Sequence, residues 1–65
     1  MIFDFNKEEY ESLKDKLMLN EELSKILELK IKRYSIVQIS MEMNLSVRTV
    51  NRRVKELKRK ITKLL

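Results

Sequence analysis

Arg48, Asn51, Arg52 and Lys55 are the side chains of this sequence best suited to directed chemistry. On a helix of 3.6 residues per turn their spacing puts them on one side. A guanidinium is a flat fork of donors, and a carboxamide sets a donor beside an acceptor, so both grip planar polar edges through paired hydrogen bonds. The matching edges are guanine O6/N7 for Arg and adenine N6/N7 for Asn, each pair worth about 1–3 kcal/mol of discrimination. These four residues are the candidate base readers. Ser35, Ser46, Thr49, Lys58 and Arg59 are the candidate phosphate contacts, through hydroxyls, charge or the helix starts beside them. Arg53 falls next to the apolar positions Val50 and Leu57 and is expected to be structural, its stem lying along apolar surface.

Other chemistries lack their parts. The chain has no His, no Cys and no Gly, so a catalytic triad, a thiol nucleophile, a nitrogen/sulfur metal site and a glycine-rich phosphate loop all fall away. No enzyme activity, cofactor or metal is expected. The acids crowd expected helix starts, where they suit the positive end of the helix dipole and need no other role.

Charge divides the chain in two. Residues 1–31 hold five Lys against eight acids, a net of −3, whereas residues 32–65 hold ten Lys and Arg against Glu42 and Glu56, a net of +8. A basic half of this kind most often faces phosphate. A run such as Arg52 to Lys60 is otherwise the solvated side of a coiled coil, and its coincidence with a capped helix start and a short preceding helix favours the nucleic-acid reading.

Positioning these groups requires helices. With no Gly, no Pro and a majority of helix formers, an all-α fold is expected, its breaks marked by capping residues. Asn6 and Glu9 read as a capping box opening a helix over 7–18, with Tyr10, Leu13 and Leu17 as its apolar stripe. Asn20 caps a second helix to about Arg33; Leu23, Ile26, Leu27, Leu29, Ile31 and Tyr34 cover a wide arc, which predicts a central position. Ser35 and Gln38 form a second box before a short helix ending near Asn44, a residue that tolerates left-handed backbone. Ile36, Ile39 and Met43 form its inner side. Val37 and Met41 are expected to pack in the core, under Ile2, Phe3 or Phe5, in preference to forming a patch for a partner.

Ser46 caps the last helix, 47–64. Its apolar residues Val47, Val50, Val54, Leu57, Ile61 and Leu64 recur at 3, 4, 3, 4, 3, a heptad seam on a rod of about 27 Å at 1.5 Å per residue. The turns from Leu57 onward should pair either with the Tyr10/Leu13/Leu17 stripe or with the same seam of a second chain. The expected architecture is therefore a small four-helix domain over 1–65 containing a helix-turn-helix with an extended C-terminal recognition helix.

Residues 19–61 resemble the LuxR/GerE-type helix-turn-helix and, more distantly, the promoter-reading region 4 of sigma factors. The resemblance is carried by Ile26-Leu27-Glu28-Leu29, Tyr34-Ser35, Ile39-Ser40, Leu45-Ser46, Thr49-Val50 and Lys60-Ile61, in the family's order and spacing. Arg33 and Asn44 stand where that family favours Gly, and Ser40 where it favours Ala. The helix at 7–18 is an addition, and the fourth helix through which many such domains dimerise has no counterpart.

The resemblance and the charge pattern together imply a sequence-specific DNA-binding protein, a transcriptional regulator that inserts the 47–64 helix in the major groove. A chain of 65 residues buries only about 60% of its unfolded surface and has no covalent staple, so a homodimer on a repeated half-site is expected. The alternative is a helical interaction adaptor or antirepressor acting on RNA polymerase or another regulator. The start Met1-Ile2-Phe3-Asp4-Phe5 has no basic leader pattern, and no apolar run approaches the roughly 20 residues of a membrane span. A soluble, cytoplasmic chain without membrane contact is the expectation.

Overall fold

A computed structural model describes residues 3–64. These form four helices, α1 (Lys7–Leu17), α2 (Glu21–Ile31), α3 (Ile36–Met43) and α4 (Val47–Leu64). The fold is a small all-α domain. None of these helices is long and apolar enough to cross a membrane.

Each helix begins where a side chain satisfies a free backbone donor. The Glu9 N–H donates to Asn6 Oδ1 at 2.8 Å and the Asn6 N–H donates to Glu9 Oε1 at 3.0 Å. The Leu23 N–H donates to Asn20 Oδ1 at 2.8 Å. Ser35 and Gln38 repeat the reciprocal pattern at 2.8 and 3.1 Å. Each such cap is worth about 1 kcal/mol.

The helix ends share a device. Met18, Arg33 and Asn44 take positive φ of 51°, 69° and 58°. The next residue then reaches back five positions: Leu19 N–H to Lys14 O at 3.3 Å, Tyr34 N–H to Leu29 O at 3.0 Å and Leu45 N–H to Ser40 O at 3.0 Å. This is the Schellman closure, normally built on glycine. A side chain in left-handed backbone costs about 1–2 kcal/mol, least for Asn. The same geometry trims two helices, so α1 stops at Leu17 instead of Met18 and α2 stops at Ile31 instead of Arg33.

The core runs along α4, which packs against all three other helices. Val50, Val54, Leu57 and Ile61 are buried, facing Leu23, Ile26, Leu27 and Leu29 of α2, Ile39 of α3 and Leu13 of α1, with Phe3 closing one side. Helix α2 also touches the other three, as its wide apolar arc requires. Tyr10 is half-buried and donates its hydroxyl to Ser24 O at 3.3 Å. Burial, reinforced by Glu28 and Glu11 and opposed by Lys14, holds its pKa above the usual 10.0.

Three sequence expectations are corrected. Val37 and Met41 are 55% and 73% exposed. Helix α3 has one inward side, occupied by Ile36, Ile39, Ser40 and Met43, and steps of 100° carry Val37 and Met41 away from it. Phe3 and Phe5 pack on the main core instead of over them; Ile2 lies outside the described residues. The two ends of the heptad seam, Val47 and Leu64, are each 43% exposed.

Candidate nucleic-acid interface

The candidate surface begins at the turn Asn44-Leu45-Ser46, which joins α3 to α4 in three residues. The left-handed Asn44 reverses the chain, Leu45 packs onto the core, and Ser46 starts α4. Its Oγ accepts the Thr49 N–H at 3.1 Å while its hydroxyl donates to Thr49 Oγ1 at 2.9 Å. The Ser46 proton is thus engaged within the cap, and the Thr49 hydroxyl keeps a free proton at the half-buried edge of the helix. Ser40, the small residue where α3 meets α4, is buried and donates to Val37 O at 2.7 Å. It lets the two helices approach without leaving a polar atom unpaired.

From that start α4 presents two opposite faces. The buried residues 50, 54, 57 and 61 define one. Arg48, Arg52, Lys55 and Arg59 follow each other at steps of four, three and four on the other, all exposed. At 1.5 Å per residue this stripe is about 17 Å long. Asn51 and Lys58 flank it, also exposed. All of the candidate base readers therefore point to solvent together, and Lys58 and Arg59 continue their line.

The stripe is free of internal neutralisation. Among the described residues, none of Arg48, Arg52, Lys55, Lys58 and Arg59 forms an ion pair. Of the acids in the first half, Glu11 pairs with Lys14, and Glu28 with Lys25 and Lys32. Within α4 the only acid, Glu56, lies 3.8 Å from Arg53 Nη1. No family model, curated protein or solved structure matches the chain.

Arg53 is structural, as its place beside the seam implied, but its role is more specific than lying along apolar surface. Its Nε is hydrogen-bonded to Glu22 Oε1, tying α4 to the first turn of α2. No local spacing signals a pair 31 residues apart.

Ser35 sits apart from the stripe, at the N-terminus of α3. It borders a shallow cleft of about 300 Å³ that also contains Lys30 and Arg33. Both cations were absent from the sequence-derived set. Lys30 Nζ lies 5.7 Å from the Phe3 ring and Arg33 Nη2 3.7 Å from Asp4 Oδ1. The proximity of Arg33 to the Ser35 cap was visible in the sequence; that of Lys30 required the α2–α3 turn.

The seam residues pair within the chain. Leu13, Leu57 and Ile61 are buried, and Tyr10 and Leu17 pack half-buried against the same cluster. Leu64 alone of the set stays exposed. The α1 stripe, and not a second α4, covers the last turns.

Proposed function

We propose that this chain is a sequence-specific DNA-binding protein that places the first half of α4 in the major groove and acts as a transcriptional regulator. The observation that carries the proposal is the solvent-facing stripe Arg48, Arg52, Lys55 and Arg59, with Asn51 on its flank, unpaired to any described acid. Cations that the fold leaves unneutralised are available to phosphates, and a helix N-terminus held by a three-residue turn is the part of such a motif that meets base edges.

Arg48, Asn51, Arg52 and Lys55 are assigned to base edges. Lys58, Arg59 and the Thr49 hydroxyl are assigned to phosphates, with Ser35 and its neighbours Lys30 and Arg33 on the backbone beside the groove. The resemblance to the LuxR/GerE-type domain gains support from the left-handed backbone at Arg33 and Asn44, the two positions where that family favours glycine. A homodimer on repeated half-sites would need a surface other than the seam, whose central residues are consumed inside one chain.

The test is selection of preferred duplexes from a random pool, followed by titration over a range of salt. Affinity should fall linearly in log–log form, at about −0.9 per phosphate neutralised, and Arg59→Ala should reduce that slope by about one. Arg52→Ala should cost about 1–3 kcal/mol on the selected duplex and relax the preference at one position. An affinity indifferent to salt, or to Arg52→Ala, refutes the proposal.

One observation favours a second reading. Val37 and Met41, one turn apart on α3, expose apolar surface that the core does not use. In that reading the chain is an adaptor contacting RNA polymerase or another regulator, and duplex binding is absent while a protein partner is retained at high salt.

A further inference from the structure

Within the DNA-binding reading, on which this rests, we infer that Val47 is a specificity-determining residue that contacts the C5-methyl group of a thymine. Its heptad phase assigns Val47 to the buried seam, yet it is 43% exposed. The Ser46 cap fixes it as the first residue of α4, and it is not among the apolar residues packed against the core. An aliphatic side chain therefore stands in solvent at the end of the helix that carries Arg48, Asn51 and Arg52.

Leu64, the other exposed end of the seam, provides the contrast. It lies at the far end of the rod beside Lys16, Leu17, Lys60 and Lys63, away from every candidate base reader. Val47 instead shares its end of α4 with Arg48, Asn51 and Arg52. On a major-groove floor the thymine methyl is the one apolar group that a base edge presents. Docking α4 by its N-terminus brings the Val47 γ-methyls to that floor, where they lose water only if a methyl is there to meet them.

The neighbouring reader narrows the sequence further. Asn51 lies one turn from Val47, on the same side of the helix and about 6 Å along its axis. Base pairs repeat every 3.4 Å, so the two side chains reach bases about one to two steps apart. Asn51 prefers adenine, and the pair Val47–Asn51 thus selects an A·T-containing core, flanked by the guanines that Arg48 and Arg52 prefer.

The experiment uses the duplex selected from the random pool and replaces each thymine, one at a time, by deoxyuridine, which removes the methyl and nothing else. One replacement should weaken the wild-type protein about fourfold, the worth of one buried methyl. Val47→Ala should bind the thymine duplex correspondingly less well and be indifferent to that replacement. Val47→Thr keeps the side-chain shape while exchanging one methyl for a hydroxyl, so it should lower the thymine-to-uracil ratio with α4 intact by circular dichroism. The inference is overturned if every replacement is silent for the wild type, or if Val47→Ala keeps the full ratio. Either result with a steep salt dependence and a loss on Arg52→Ala leaves DNA binding standing. Absence of duplex binding at any salt overturns both.

Discussion

Replacing Leu57 by Ala separates a seam closed inside one chain from a seam shared between two. Leu57 and Ile61 are fully buried in the single chain, and truncating such a residue removes its transfer free energy and leaves a cavity, about 2–5 kcal/mol in all. A domain of 65 residues holds about 3–10 kcal/mol in total. Leu57→Ala and Ile61→Ala should each therefore remove about a fifth or more of the stability. Leu64 is the internal control, because it belongs to the same heptad row but stays 43% exposed; Leu64→Ala should cost less than about 1 kcal/mol. Urea unfolding followed by helix circular dichroism measures all three, and the wild-type midpoint should not move when the protein concentration is raised a hundredfold. A midpoint that climbs with concentration, or a Leu64→Ala loss as large as that of Leu57→Ala, would refute an intrachain seam and return these turns to a dimer.

Three further outcomes follow from the helix ends and from Tyr10. Met18→Gly and Arg33→Gly should each raise stability by up to about 1 kcal/mol in the same urea assay, since both residues hold positive φ, whereas Asn44→Gly should be nearly neutral. The Arg33–Asp4 pair lost in the second variant is more than 70% exposed at both side chains and contributes little. Ser46→Ala should cost about 1 kcal/mol and increase amide exchange in the first turn of α4, because Thr49 N–H loses its acceptor. In a Tyr34→Phe background the remaining phenol, Tyr10, should ionise with a midpoint above pH 10.0, read from phenolate absorbance. A raised pKa in the fold means that the protonated form is the one stabilised. Its contribution is complete below pH 10 and disappears as pH rises through the folded value, so Tyr10→Phe should remove that part of the alkaline loss.

Most of the helical architecture is local information. Asn6 with Glu9, Asn20 with Leu23, Ser35 with Gln38 and Ser46 with Thr49 are contacts between residues three apart, and such contacts form from neighbouring sequence alone. The inward row Val50, Val54, Leu57 and Ile61 follows from a period that any helix must honour. Once that row is buried, the outward direction of Arg48, Arg52, Lys55 and Arg59 is dictated by the same period, which is why the candidate surface is legible in the sequence.

Tertiary structure decided what lies between elements. Periodicity ranks the faces of a helix but does not say how far its neighbours extend, so Val47 and Leu64, in phase with the seam, emerged exposed at its two ends; Val37 and Met41, expected in the core although off the inner side of α3, stay exposed as that period dictates. The choice between α1 and a second chain as cover for Leu57 and Ile61 depended on the angle at which α1 returns, set by the left-handed turn at Met18 and the packing of Tyr10 and Leu17. The Glu22–Arg53 link joins the first turn of α2 to the middle of α4. Short-range rules govern which way a side chain leaves its own helix; only the packed fold brings a distant residue to meet it.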